Sequence, residues 1–404
     1  MAAYDLDALL AQFPALAEGA AHFDGPGGSQ VPEAVADAVA GVLRSAVANR
    51  GTRTPAERRA DAIVVAARRA AADTVGAPAG GVVFGRSMTA LTFDLARTLS
   101  ATWRPGDEVV VTDLDHDANI RPWVAAADRA GATVRVASFD PVTGELPAEA
   151  VTGLIGERTR VVAITAASNL IGTVPDVAAV AAAAADAGAL CVVDAVHAAA
   201  HRPVDLAALG ADVVVWSPYK LFGPHCGVLA ADPALLERLH PDKLAPSSDA
   251  VPERFELGTL PYELLAGVTA AVDVVAGLAP GGGDRRSRVS AAMAAIDEHE
   301  TAMLARLEAG LGGLRGVRTL GRAAVRTPTV LFEVDGVASA EVADALAAAG
   351  VNAPAGSFYA LLASRRLGLG DTGAVRAGIS PYTSPGDVDR LLDALAGVCA
   401  RAAA

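Results

Sequence analysis

Between residues 80 and 230 the chain alternates short, valine-rich apolar runs with longer stretches of helical periodicity. The runs fall at 81–84, 108–112, 133–137, 161–165, 189–194, 213–217 and 227–230. Runs this apolar, with little polar alternation, predict strands buried on both faces, as in a parallel sheet covered by helices. Helical stretches at 89–99, 119–130, 175–187 and 203–209 would supply the cover. After about residue 260 the pattern changes. Long helical stretches at 262–278 and 286–311 flank a Pro-Gly-Gly-Gly-Asp break at 280–284, and strands at 330–334 and 375–379 alternate with helices at 340–349 and 385–400. The expected architecture is α/β: a large domain over 23–270 with a mostly parallel sheet flanked by helices, then a smaller α+β domain over 271–404. Residues 1–22 are expected to pack on the small domain.

Open α/β sheets bind ligands beyond the carboxyl ends of their strands. Asp194 closes the run at 189–194, and Lys220 follows the run at 213–217 in Ser217-Pro-Tyr-Lys. Lysine is scarce here: only Lys220 and Lys243 occur among 33 basic residues. Arginine replaces lysine on most surfaces, but a guanidinium does not condense with a carbonyl cofactor as an uncharged amine does. An amine and a carboxylate at neighbouring strand ends are the arrangement expected for pyridoxal phosphate, with Asp194 facing the pyridine nitrogen. The phosphate would sit on the strand-to-helix turn around Ser87, Met88 and Thr89, with Ser217 adding a hydroxyl. His116, in a loop at the same sheet edge, would stack on the pyridine face. Each residue alone also has an ordinary reading: a surface lysine, a loop-capping aspartate, a simple helix cap, a solvated histidine.

Composition narrows the class. Apolar residues make up 52% of the chain, ample for a large core, and the net charge of −13 argues against nucleic acid or an anionic membrane as partner. No apolar stretch reaches the roughly 20 residues of a membrane span. The first 20 residues have no basic n-region, so no signal peptide is expected. Cys191, Cys226 and Cys399 are odd in number and far apart, which fits a reducing cytoplasm with neither a disulfide framework nor a metal site. No Gly-x-Gly-x-x-Gly turn follows the first strand, which argues against a nicotinamide-dependent enzyme.

Further segments, in order, extend the pattern: Phe23-Asp-Gly-Pro-Gly-Gly, the Ser87-Met-Thr turn, His116 with Ala118-Asn119 and Pro122-Trp123, Ser168-Asn169-Leu-Ile-Gly-Thr, Asp194-Ala-Val-His197, Ser217-Pro-Tyr-Lys220, Glu256-Leu-Gly-Thr259 and Ala374-Val-Arg376. In these pieces the chain resembles the class V aminotransferase superfamily of pyridoxal-phosphate fold type I, and within it the cysteine desulfurase-like branch. The resemblance implies that Asn169 and Arg376 hold the substrate carboxylate and that His197 contacts the cofactor's 3-oxygen. Tyr219 replaces a histidine common before the lysine and would still reach the phosphate. Thr259 would enter the phosphate site of the second subunit of a homodimer.

The pattern breaks at one place. Cysteine desulfurases carry a nucleophilic cysteine on a small-domain loop, and the corresponding segment here reads Val351-Asn-Ala-Pro-Ala-Gly-Ser357-Phe-Tyr. Ser357 falls near the substrate, but a hydroxyl is far less acidic than a thiol and stores no persulfide. What the resemblance implies is therefore chemistry at Cα and Cβ of a small amino-acid substrate without sulfur transfer to the protein. A lyase that eliminates a C–S bond is favoured slightly over a class V aminotransferase using a keto-acid acceptor. A racemase needs a second proton donor that the sequence does not reveal, and a catalytically silent binding protein has no need of Asp194, Lys220 and Arg376 together.

Overall fold

The computed structural model describes residues 4–278 and 282–402, so part of the break at 280–284 lies outside the described residues. Seven strands form the main sheet: β1 Val82–Gly85, β2 Glu108–Thr112, β3 Thr133–Ala137, β4 Thr159–Thr165, β5 Leu190–Asp194, β6 Val213–Trp216 and β7 Gly227–Ala231. Their order in space is β3-β2-β4-β5-β6-β7-β1. Neighbours are parallel except at β7, which runs antiparallel to both β6 and β1.

The valine runs form this sheet because alternate residues feed two different cores. Val110, Val162, Val193 and Val214 pack on one face with the helices Pro55–Val75 and Val177–Asp186. Val109, Val161, Val192, Val213 and Val215 pack on the other with Met88–Ser100 and Arg121–Ala130. Period-two alternation between two apolar layers is what makes the runs uniformly hydrophobic. The 21-residue helix Pro55–Val75 opens on a full capping box, with Thr54 and Glu57 each bonding the other's backbone N–H.

The helix expected at 203–209 does not form; a one-turn helix, Ala198–His201, precedes a series of turns. Leu206 N–H donates outward to Val75 O at 2.8 Å, and Asp205 binds Arg286 and the Ala208 N–H. Val75 and Arg286, on neighbouring elements, draw the segment's polar groups away from a helical ladder, of which the Leu209 N–H to Asp205 O bond remains.

The second sheet is antiparallel, in spatial order Ala355–Gly356, Ala374–Gly378, Thr329–Val334, Val317–Leu320. It is covered by Ser339–Ala348 and Pro385–Ala402. Near the N-terminus, Phe13 lies against both Phe222, next to the Lys220 turn, and Tyr382, beyond the second sheet. Ala21–His22 then pairs in parallel with Val351–Asn352. This path delivers Asp24 to Gly28 to the mouth of the crevice between the two sheets.

Candidate active site

Asp194, Lys220, His116 and Asn169 follow β5, β6, β2 and β4 on the same edge, where the sheet's strand order switches between β2 and β4. They line a cavity of about 480 Å³, together with Ser87, Met88, Thr89, His197, Ser217, Tyr219 and Arg376. Residues spread over almost 300 positions of sequence thus meet in one crevice.

Lys220 ends the single turn Pro218–Lys220 and donates from Nζ to Pro26 O. Burial pulls its ammonium down to about 7, helped by the nearby Arg376 charge and opposed by Asp194. A substantial uncharged fraction at neutral pH is what a nucleophilic amine needs. Asp194 is 4% exposed and accepts Val196 N–H at 2.9 Å. Burial pushes its carboxyl up to about 6, against the pull of that N–H and of Lys220. A cationic ring nitrogen beside it would restore the anion, since opposite charges favour each other's ionised forms.

The anion cradle rests on close backbone packing. Ser87 caps the helix Met88–Ser100, accepting Ala90 N–H at 3.1 Å. A Cβ on Gly227 would lie 2.1 Å from the Ser87 carbonyl carbon, so only glycine lets β7 press against this peptide and hold the helix N-terminus at the cavity. First-turn N–H groups and the helix dipole there favour a phosphate.

His116 accepts Ala118 N–H on Nδ1 at 3.0 Å, and burial lowers it to about 4, leaving a neutral flat ring. Tyr359 sits 5.4 Å from that ring, tilted by 35°. Tyr219 lines the cavity and stacks on His225 with centroids 4.6 Å apart. His197 contributes one edge of its ring to the cavity while Nε2 bonds Thr327 and Thr329.

Arg376 lies mid-strand in the second sheet, 2% exposed, with its guanidinium 3.7 Å from the Phe358 ring centre. Nη1 donates to Asn169 O at 2.9 Å, whereas Nε has no partner among the described residues. Asn169 Nδ2 donates to Phe358 O at 3.0 Å, and its Oδ1 is buried without a partner. Two orphaned groups, a donor and an acceptor, face each other's surroundings in the crevice and call for a ligand.

One residue expected near the substrate lies elsewhere, while Thr259 was expected at the phosphate of a second subunit rather than in this cavity. Ser357 does not line the cavity: the next two residues turn through positive φ, 51° and 59°, and bring Phe358 and Tyr359 to it instead. Both rings belong to the loop that lacks cysteine, which sequence reading expected to help shape the substrate pocket, though it singled out Ser357 alone. Thr259 lines a separate cleft, with Arg86, His225 and Cys226. Asp115, overlooked in sequence reading, is fully buried, bonded to Thr112 and Asn119, and pushed up to about 8 by burial, with Asp194 adding to the shift. Nothing in its sequence neighbourhood distinguishes it from the acids on either side. Cys191 and Cys226 are buried, and burial pushes both thiols up to about 12. None of the three cysteines lines the Lys220 cavity.

These residues fit pyridoxal phosphate: a buried amine of lowered basicity, a buried carboxyl, a helix N-terminus pinned at the crevice, and an unpartnered guanidinium N–H where a substrate carboxylate belongs. Comparison with known proteins agrees. Residues 21–391 match the family described as aminotransferase class-V. An uncharacterised protein of Mycobacterium tuberculosis is 36% identical, covering 98% of this chain and 100% of its own. A probable cysteine desulfurase of Pseudomonas aeruginosa is 34% identical, covering 95% and 96%. The crystal structure of the cysteine desulfurase CsdA of Escherichia coli superposes with a TM-score of 0.85 at 27% identity, over 99% of this chain and 98% of that one. The chain therefore belongs to the class V aminotransferase family, on its cysteine desulfurase-like side, and is a pyridoxal-phosphate-dependent enzyme.

Proposed function

We propose that this enzyme is a lyase that eliminates a thiol from Cβ of a cysteine-derived amino acid without forming a protein persulfide. The observation that carries the reading is an Asp194–Lys220–Arg376 cavity whose small-domain loop offers Phe358 and Tyr359 where desulfurases place a cysteine. The bound cofactor would supply an electron sink for the Cα–H bond pair. Arg376, through its unpartnered Nε, binds the substrate carboxylate, and Asn169 joins it by turning its Nδ2 from Phe358 O to the carboxylate. Lys220, uncharged for much of the time near pH 7, takes the proton from Cα. The C–S bond pair then leaves with sulfur as a thiolate. Asp194 would hold the cofactor's ring nitrogen protonated, and the Ser87–Thr89 turn with Ser217 and Tyr219 would anchor the phosphate. His116 would stack on the cofactor's ring, and His197 would contact its ring oxygen. The Phe358 ring over the guanidinium keeps water from one face of the bound carboxylate.

Activity is proposed to require a homodimer, with Thr259 of one subunit reaching the phosphate of the other, and to take place in a reducing cytoplasm that keeps three free cysteines reduced. Among the described residues no helix is long and apolar enough to cross a membrane.

The test is product analysis with cysteine and S-substituted cysteines. A lyase releases pyruvate, ammonia and thiol in equal amounts with no second substrate. An aminotransferase instead needs a keto acid and converts the cofactor to its amine form. A protein that does neither across the panel, while still binding the cofactor, is a silent member of the fold.

A further inference from the structure

His197 is held from behind by two threonines of the small domain. Its Nε2 lies 2.9 Å from Thr327 Oγ1 and 3.2 Å from Thr329 Oγ1. Both threonines are completely buried. They differ in where else their hydrogens can go. Thr327 Oγ1 also lies 3.2 Å from Gly172 O and can donate there. Thr329 Oγ1 has no other partner among the described residues.

A neutral imidazole carries one hydrogen, on Nδ1 or on Nε2. With the hydrogen on Nε2, Thr327 accepts it and passes its own to Gly172, but the Thr329 hydroxyl hydrogen is stranded in a dry interior. With the hydrogen on Nδ1, Nε2 accepts from Thr329 and Thr327 donates to Gly172, so both buried hydroxyl hydrogens have an acceptor; Thr327 Oγ1 then faces Nε2 at 2.9 Å with no hydrogen between them, and Nδ1–H is left for a group in the cavity. The second arrangement is preferred because it alone strands no buried hydroxyl donor. Burial, with the neighbouring positive groups adding to it, keeps the ring neutral by holding its pKa well below the ordinary histidine value. On the far side His201 packs edge-on at 4.6 Å and is itself tied through Nδ1 to the buried Glu300 at 2.9 Å, which fixes the orientation of the ring.

We propose that Thr329 is a positioning residue that sets the tautomer of His197, so that Nδ1–H is the donor presented to the cavity. The small domain thereby decides whether the large domain offers a donor or an acceptor to the cofactor's ring oxygen. The hydrogen bond crosses from the first residue of Thr329–Val334 to the loop after β5, so the donor is set only when the two domains are packed together.

The inference concerns the site read above as a cofactor pocket, but its test does not depend on which reaction takes place there. Full-length, cofactor-loaded protein labelled with ¹⁵N-histidine gives a spectrum in which His197 is assigned by its loss in His197→Gln. The expected signals are pyrrole-like for Nδ1 and pyridine-like for Nε2. Thr329→Val should move the hydrogen to Nε2, with Thr327 as acceptor, and Thr329→Ser should restore the wild-type pattern. A pyridine-like Nδ1 in the wild type overturns the proposal, whether or not the valine variant folds. So does a valine variant that folds and keeps the wild-type signals.

Discussion

Replacing Arg376 with lysine probes the substrate-binding half of the site in isolation. The guanidinium spends Nη1 on Asn169 O and leaves Nε unpartnered, with the Phe358 ring covering its face. A carboxylate that reaches the unpartnered Nε and the neighbouring Nη can form two parallel hydrogen bonds, which a lysine ammonium cannot match in that plane. Losing one charge-assisted bond while keeping the charge costs about 1.5–3 kcal/mol, or roughly tenfold to 150-fold in affinity. The assay is titration of the loaded enzyme with amino acids, followed by the change in its visible absorbance. Arg376→Lys should raise Kd or KM by that factor for a carboxylate substrate and change kcat little. The corresponding amide, which carries no negative charge, should bind the wild type weakly and respond much less to the substitution. Equal wild-type affinity for acid and amide would refute the assignment. So would a variant that loses kcat with KM intact.

Three further outcomes follow from other parts of the structure. Covalent loading of the cofactor-free protein requires the uncharged Lys220 amine, which burial makes available above about 7 rather than at the ordinary 10.5; the loading rate should rise with pH up to about 7 and then level off, and a rate still climbing steeply at pH 9 would contradict the buried-amine account. Cys226→Ala and Cys399→Ser should each keep thiol-release activity to within about twofold, because the mechanism uses neither sulfur; abolition of turnover in either variant, with the fold intact, would reinstate a cysteine in the reaction. Glu256→Ala should destabilise the fold by about 3–5 kcal/mol in denaturant titration, because it strands a buried arginine. Glu256 takes two 2.8 Å bonds from Arg68 and one from the Phe84 N–H. A loss below about 1 kcal/mol would mean that Glu253, 3.4 Å from Arg68, suffices as the partner.

Strand positions were legible because burial on both faces writes apolar residues, valine foremost, at most positions of β2, β4, β5 and β6. Once those strands are placed, Asp194 and Lys220 fall at their carboxyl ends as a matter of counting, and the turn at Ser87 falls after β1 in the same way. The helix at 203–209 failed because periodicity does not show that Val75 O and Arg286 compete for the segment's polar groups. Ser357 was chosen by alignment with a missing cysteine, and the backbone settled otherwise: two successive residues at positive φ rotate the loop so that Phe358 and Tyr359 occupy the cavity. Asp115 reads in sequence as one acid among three, and only its burial between Thr112 and Asn119 sets it apart.

The amino-acid sequence on its own determined the layered α/β frame and the side chains that such a frame carries at its ligand-binding edge, because both follow from local periodicity. Tertiary structure alone decided what faces them. The Phe358 stack on Arg376, the orphaned Nε edge and the threonine pair behind His197 join segments far apart in the chain. Such contacts depend on how two separately folded sheets pack, and on which buried polar groups that packing leaves without a partner. No pattern along a single segment records either.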